Sequence, residues 1–248
     1  MAQSLFWGSL AAVAWQAWKR LDGRPGLRTP IVYLAVTIGL FQIGLGLFLG
    51  IGSGFGKSPY GHDPATLLAN GLYVATLLVA VEIARSVVVT VIAARSPTAA
   101  LAVAATFFAA LAVPLARYTD FPAGRAAVRF IGGTMLPDVA AGLLAAFLVF
   151  LSGPVAAIAY RGTLLAFEWL SPFLPDLSWS AAAFVGVVAP VIGFWLVQRA
   201  VEEDAAGAGD AGEADDPPGR IRWWQVLAVL GVVLLFFVSG LLGVRPVS

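Results

Sequence analysis

The sequence predicts an all-α, polytopic membrane bundle of seven or eight transmembrane helices, and three observations predict it. Of 248 residues, 60% are apolar and only 12% charged, about half the charge that covers a water-soluble domain. Mean hydropathy is +0.88. Apolar runs recur at the length of roughly 20 residues that a helix needs to cross the hydrocarbon core. The same composition removes several chemistries. A net charge of +1 with scattered basic residues argues against nucleic acid as a partner. The absence of cysteine and the single histidine, His62, leave no disulfide framework, thiolate nucleophile or histidine metal cluster, so no cofactor, metal or catalytic residue is expected.

Taken in order, the apolar runs are Ile31 to Gly52, Thr66 to Ala93, Pro97 to Leu115, Leu136 to Leu151, Val155 to Leu170, Trp179 to Val197 and Trp223 to Gly243. An eighth, Leu5 to Trp18, is short and carries Trp7, Trp15 and Trp18, so it either spans or lies in the interface where indole rings prefer to sit. Ser152-Gly153-Pro154 joins two short runs and predicts a tight helical hairpin. Residues 1–198 therefore read as the main bundle. Residues 199–222, with seven carboxylates, Gly-Ala steps and Pro217-Pro218, read as a flexible acidic cytoplasmic linker. Residues 223–248 read as a final helix with a short outer stub. No long internal repeat is evident.

Alternate connections carry unequal positive charge. Lys19, Arg20, Arg24, Arg28, Arg95, Arg199, Arg220 and Arg222 fall on one side, and Lys57, Arg117, Arg125, Arg129 and Arg245 on the other. The positive-inside rule puts the first set in the cytoplasm of a multi-pass cell-membrane protein. His62 and the loop from Ser171 to Ser178 then lie outside, as does the C-terminus.

Charge within a span costs a few kcal/mol and calls for a partner or a purpose. Glu82 and Arg85, three residues apart on one helical face, read as a structural ion pair or a polar path. Arg161 and Glu168 share a face two turns apart, so other helices, water or headgroups must satisfy them. Asp138 follows Pro137 and reads as a carboxylate capping a helix N-terminus. Gly46 and Gly50 form a small-xxx-small packing face. Pro114 and Pro190 are candidate helix breaks. The run Gly50 to Ser58 fails as a phosphate loop because Ile51 stands where glycine is required. His62 sits in a loop rich in proline and glycine, and Thr134 has no base in sight.

The box Gly133-Thr134-Met135-Leu136-Pro137 is similar to the Gly-Ser-Met-x-Pro box of signal peptidase I with threonine for serine. A longer block resembles the amino-terminal membrane region of long archaeal-type signal peptidase I proteins: Tyr160, Arg161 and Gly162, then Phe167, Glu168, Trp169, Ser171, Pro172 and Pro175. In that family a multi-span region, a charged linker and one last span precede the catalytic domain. The resemblance implies a membrane domain that anchors or orients a serine peptidase at the outer face. The family's serine nucleophile and its lysine or histidine base have no counterpart here. Implied partners are the bilayer, signal-peptide-bearing preproteins, a separate catalytic domain or the secretion translocon. The competing expectation, from the residues alone, is a small transporter or lipid-handling protein that uses Glu82 and Arg85 with Arg161 and Glu168.

Overall fold

The computed structural model describes residues 2–22, 24–113 and 124–208. Among these, seven helices and two short strands account for nearly every residue. They are α1 (Ala2–Lys19), α2 (Thr29–Ser53), β1 (Phe55–Lys57), α3 (Pro64–Ala93), α4 (Pro97–Ala112), α5 (Gly124–Ser152), α6 (Pro154–Leu170), β2 (Phe173–Pro175) and α7 (Trp179–Ala208). The chain is all-α, and α2, α3, α5 and α7 are long and apolar enough to cross a membrane. Pro114, the final apolar run and residues 209–248 lie outside the described residues.

Helix starts follow local chemistry. The Asp63 carboxylate accepts the Thr66 N–H at 3.0 Å ahead of Pro64, and the Ser96 hydroxyl accepts the Ala99 N–H at 3.3 Å ahead of Pro97. Proline suits the first turn because its missing N–H would be unpaired there. The Asp63 carboxyl sits below its ordinary range because of its hydrogen bonds with Thr66. Its contribution to the α3 cap is thus present above the ordinary carboxylate pKa and is lost as pH falls through the lowered value. At the hairpin, Gly153 adopts φ 76, a conformation that favours glycine. The Ser152 hydroxyl accepts the Arg28 N–H at 2.7 Å and so fastens the hairpin to the start of α2.

The core is built around α5. Every residue from Val139 to Val149 is buried, as expected of a helix apolar on all sides. Against it lie α4 through Ala104, Ala105 and Ala109, and α7 through Phe194, whose ring stacks on Phe147 at 4.1 Å. α1 packs along α3, so it lies with the bundle rather than across it. At the opposite end from Gly153, β1 and β2 pair antiparallel, with Gly56 opposite Leu174. The pair rests on α2, where Pro175 packs over Gly46 and Gly50. The small-xxx-small face of α2 therefore seats a strand.

Four expectations are corrected. The helix expected to begin at Leu136 begins at Gly124, so Pro137 and Asp138 lie inside it and Asp138 caps nothing. A π-helical turn at Ile131–Met135 carries the helix into Pro137. Proline there lacks the N–H for the Gly133 carbonyl and would crowd it in regular α geometry, and the wider turn relieves both problems. α7 also runs without interruption through Pro190 and on to Ala208, past the boundary expected at residue 198. The first residues of the acidic segment, Val-Glu-Glu-Asp-Ala-Ala, include good helix formers that extend it.

Close packing makes one glycine decisive. A Cβ at Gly186 would lie 2.5 Å from the Cβ of the rigid Pro137 ring, whereas nothing lies within 4 Å of a Cβ at Gly71. Gly186→Ala should lower stability in detergent by about 1–3 kcal/mol through overpacking. Gly71→Ala should raise it by about 0.5–1 kcal/mol through helix propensity. Equal shifts in thermal unfolding would show that α7 is not seated on the π turn of α5.

Candidate functional site

Two polar groups inside the bundle differ in how completely they are satisfied. The first is closed. Glu82 and Arg85 on α3 are 0% and 2% exposed and pair twice, Nε to Oε2 at 2.8 Å and Nη2 to Oε1 at 3.2 Å. The third guanidinium nitrogen approaches the Gly142 carbonyl of α5 at 3.5 Å, and the guanidinium lies 4.6 Å from the centre of the Phe108 ring of α4. Forked pairing and an aromatic face satisfy most of what a buried arginine requires. Both residues are buried and face each other rather than an open cavity, so the pair reads as a structural one.

The second is open. Because α5 and α6 form a hairpin about Gly153, Asp138 and Glu168, each fifteen residues from that glycine, stand at the same level on facing helices. The Arg161 guanidinium lies within electrostatic reach of both carboxyls, and the two carboxyls within reach of each other. Yet no pair among the three closes to 4.0 Å. Asp138 and Arg161 are half-buried, and Glu168 is at the surface of the bundle. One cation between two acids, held apart, can accept a guest that carries both charges.

Aromatic groups cover the outer end of this cluster. The Tyr60 ring stacks on Trp169 at 3.9 Å and 15°, with Tyr73 at 5.9 Å on Trp169. The Tyr60 hydroxyl lies near Glu168, and its phenol is pushed above the ordinary range by burial first and by the Glu168 charge second. It therefore remains a neutral donor well into alkaline pH. Deeper in the bundle, the Tyr160 hydroxyl donates to Gln42 Oε1 on α2 at 2.8 Å.

The remaining residues of the block are structural. Gly162 admits Leu78 of α3. The Ser171 hydroxyl donates to the Phe173 carbonyl at 2.6 Å, and the Pro172 carbonyl accepts the Ser58 N–H at 3.0 Å. Phe167 accepts the capping N–H of Ser171 through its carbonyl, and Pro175 seats on α2. Thr134 is exposed on the π turn. Sequence reasoning missed Tyr60 and Gln42 as partners and did not join Asp138 to Arg161 and Glu168. The equal spacing of Asp138 and Glu168 about Gly153 was the available signal.

Removing one charge of the closed pair should be costly and removing both should not. Glu82→Gln should lose about 3–5 kcal/mol because it leaves a buried guanidinium uncompensated, while Glu82→Met with Arg85→Met should recover most of that loss. Unfolding in detergent measures both. A double variant as unstable as Glu82→Gln would mean that the pair itself stabilises the bundle.

No protein family, curated protein or solved structure matches this chain. The similarity to the signal peptidase membrane region rests on its sequence block alone.

Proposed function

We propose that the chain is a multi-pass protein of the cell membrane, each of its seven described helices crossing the bilayer, that carries a small zwitterionic solute or handles a zwitterionic lipid headgroup. The observation that carries this reading is the open cluster of Asp138, Arg161 and Glu168, beside a Glu82–Arg85 pair that is closed on itself. Arg161 suits a carboxylate or phosphate, Asp138 and Glu168 suit an ammonium, and the Tyr60–Trp169 stack offers an aromatic face to a cation. Intramembrane ionisable residues of this kind mark substrate pathways.

The orientation follows the charge count. The end that holds Arg28 and Gly153 also has Lys19 over Trp15, Arg24 over Trp18 and Arg199 over Trp195, at 5.1, 5.6 and 5.4 Å. Such tryptophan and basic pairs suit a cytoplasmic interface. The strands and the Tyr60–Trp169 stack then face outward.

In proteoliposomes, uptake of zwitterionic amino acids and retention of phosphatidylethanolamine should both be measured for Arg161→Gln and Asp138→Asn. Either variant should weaken whichever activity is present by at least about tenfold, or 1.4 kcal/mol. Variants that bind and transport as the native chain does would sink the reading. Uptake and lipid retention separate the two sources of the headgroup chemistry.

A second reading, a membrane domain serving a signal peptidase, is supported by where its block lies. Residues Phe167 to Pro175 of the block lie at the end of the bundle that faces outward in this orientation, where such a peptidase works. A photoreactive residue at the exposed Leu170 should then capture signal-peptide-bearing preproteins in membranes. Capture of none would remove this reading.

A further inference from the structure

Residues 2–93 and 124–208 follow one plan. In each, a first helix (α1, α5) leads to a second that opens on proline, Pro30 in α2 and Pro154 in α6. A three-residue strand that starts with phenylalanine follows, Phe55 in one and Phe173 in the other, and then a closing helix of 30 residues. The spatial neighbours repeat as well. α1 lies along α3 as α5 lies along α7, and α2 meets α7 as α6 meets α3. Some contacts depart from the plan: α5 also lies along α6 through the tight Gly153 turn and meets α3 and α2, and β2 rests on α2, with no counterparts of similar extent for α1 and β1.

The strand ladder carries the correspondence down to single atoms. The Ser58 N–H donates to the Pro172 carbonyl, the Asp176 N–H donates to the Gly54 carbonyl, and both bonds measure 3.0 Å. Exchanging the strands leaves the register unchanged: Phe55 faces Pro175, Gly56 faces Leu174 and Lys57 faces Phe173. Any antiparallel ladder has this local two-fold, and the matching helix neighbours, α2 with α7 and α6 with α3, with α2 beside α6, are what extend it to the helices. α4 has a topological reason to exist. A unit of three crossings ends on the side opposite its start, so a second copy in the same orientation needs one extra crossing before it.

We infer that the chain is a duplicated three-helix unit of parallel orientation, and that the α2/α6 seam on its axis is the route of the carried solute, closed on the outer side by the β1–β2 ladder. The duplication stands on the geometry alone, and the route rests on the carrier reading above. Carriers built from such repeats bind at the repeat interface and move one repeat against the other. Here that interface is crossed at depth by the Tyr160–Gln42 hydrogen bond, next in sequence to Arg161. At its outer end it is held by the three-pair ladder, by the two bonds that flank it and by Pro175 on Gly46 and Gly50. A ladder this short can open and reclose within a transport cycle.

The chain has no cysteine, so a cysteine pair can be placed in it without background. Lys57 and Phe173 face each other between the hydrogen-bonded pairs, where Cα atoms lie about 4.5 Å apart and a disulfide can form. Full-length Lys57→Cys with Phe173→Cys in proteoliposomes should lose uptake by at least about tenfold on mild oxidation and regain it with reductant, as a locked gate does. Solute affinity should stay within about twofold. Spin labels on the reduced pair should report two separations, one closed and one open. Full uptake by the locked chain, or one narrow separation, overturns the inference. A native chain with no uptake would end the carrier reading by itself, and the label separations would still decide whether the seam moves.

Discussion

The Glu82–Arg85 pair sets the terms for the rest of the bundle. Two charges held at the centre of an apolar fold are tolerable only if their hydrogen-bonding capacity is met within the protein, because lipid offers none. The guanidinium meets that demand by forking onto Glu82 while it faces Gly142 of α5 and Phe108 of α4. Three helices are thereby fixed in rotation and height relative to one another. Gly142 belongs to this arrangement, since a Cβ there would lie 3.2 Å from the Ala105 carbonyl of α4. The close approach of α4 and α5 holds the Arg85 contacts in a dry interior, where each is stronger than in water.

The contrast with Asp138, Arg161 and Glu168 is between a closed ion pair and an open cluster. Both groups combine carboxylates with an arginine inside an apolar bundle, so composition does not distinguish them. Geometry does. Three residues on one helix place Glu82 and Arg85 in contact, whereas seven residues and a facing helix keep Arg161 apart from its acids. The outer cluster is covered by a phenol and an indole rather than by aliphatic side chains, and those rings are amphipathic groups suited to an interface.

Much of the fold is legible in the sequence because it is written in local signals. Asp63-Pro64 and Ser96-Pro97 announce helix starts, Ser152-Gly153-Pro154 announces the hairpin, and the three-residue spacing of Glu82 and Arg85 announces their contact. What is not legible depends on distant partners. Pro137 reads as a helix start because proline suits a first turn, and only the packing of Trp179 against Gly132 and Gly133 shows a π turn carrying the helix through it. The β1–β2 ladder joins two tripeptides more than a hundred residues apart, too short to show a strand period. The duplication is hidden for a related reason. At equivalent ladder positions stand Gly56 and Leu174, or Lys57 and Pro175, and the bonds that make them equivalent come from backbone groups that residues of many kinds supply.

The fastening of Arg28 to Ser152 spans 124 residues and bears on the order of assembly. When α2 is synthesised, the hydroxyl that will receive its first N–H does not yet exist. It arrives only at the end of α5, three helices later. Until then the start of α2 must be solvated by its surroundings, and its final tilt is undetermined. Assembly of this bundle is thus a two-step affair, in which the early helices take provisional positions and arrival of the α5–α6 hairpin locks them in place.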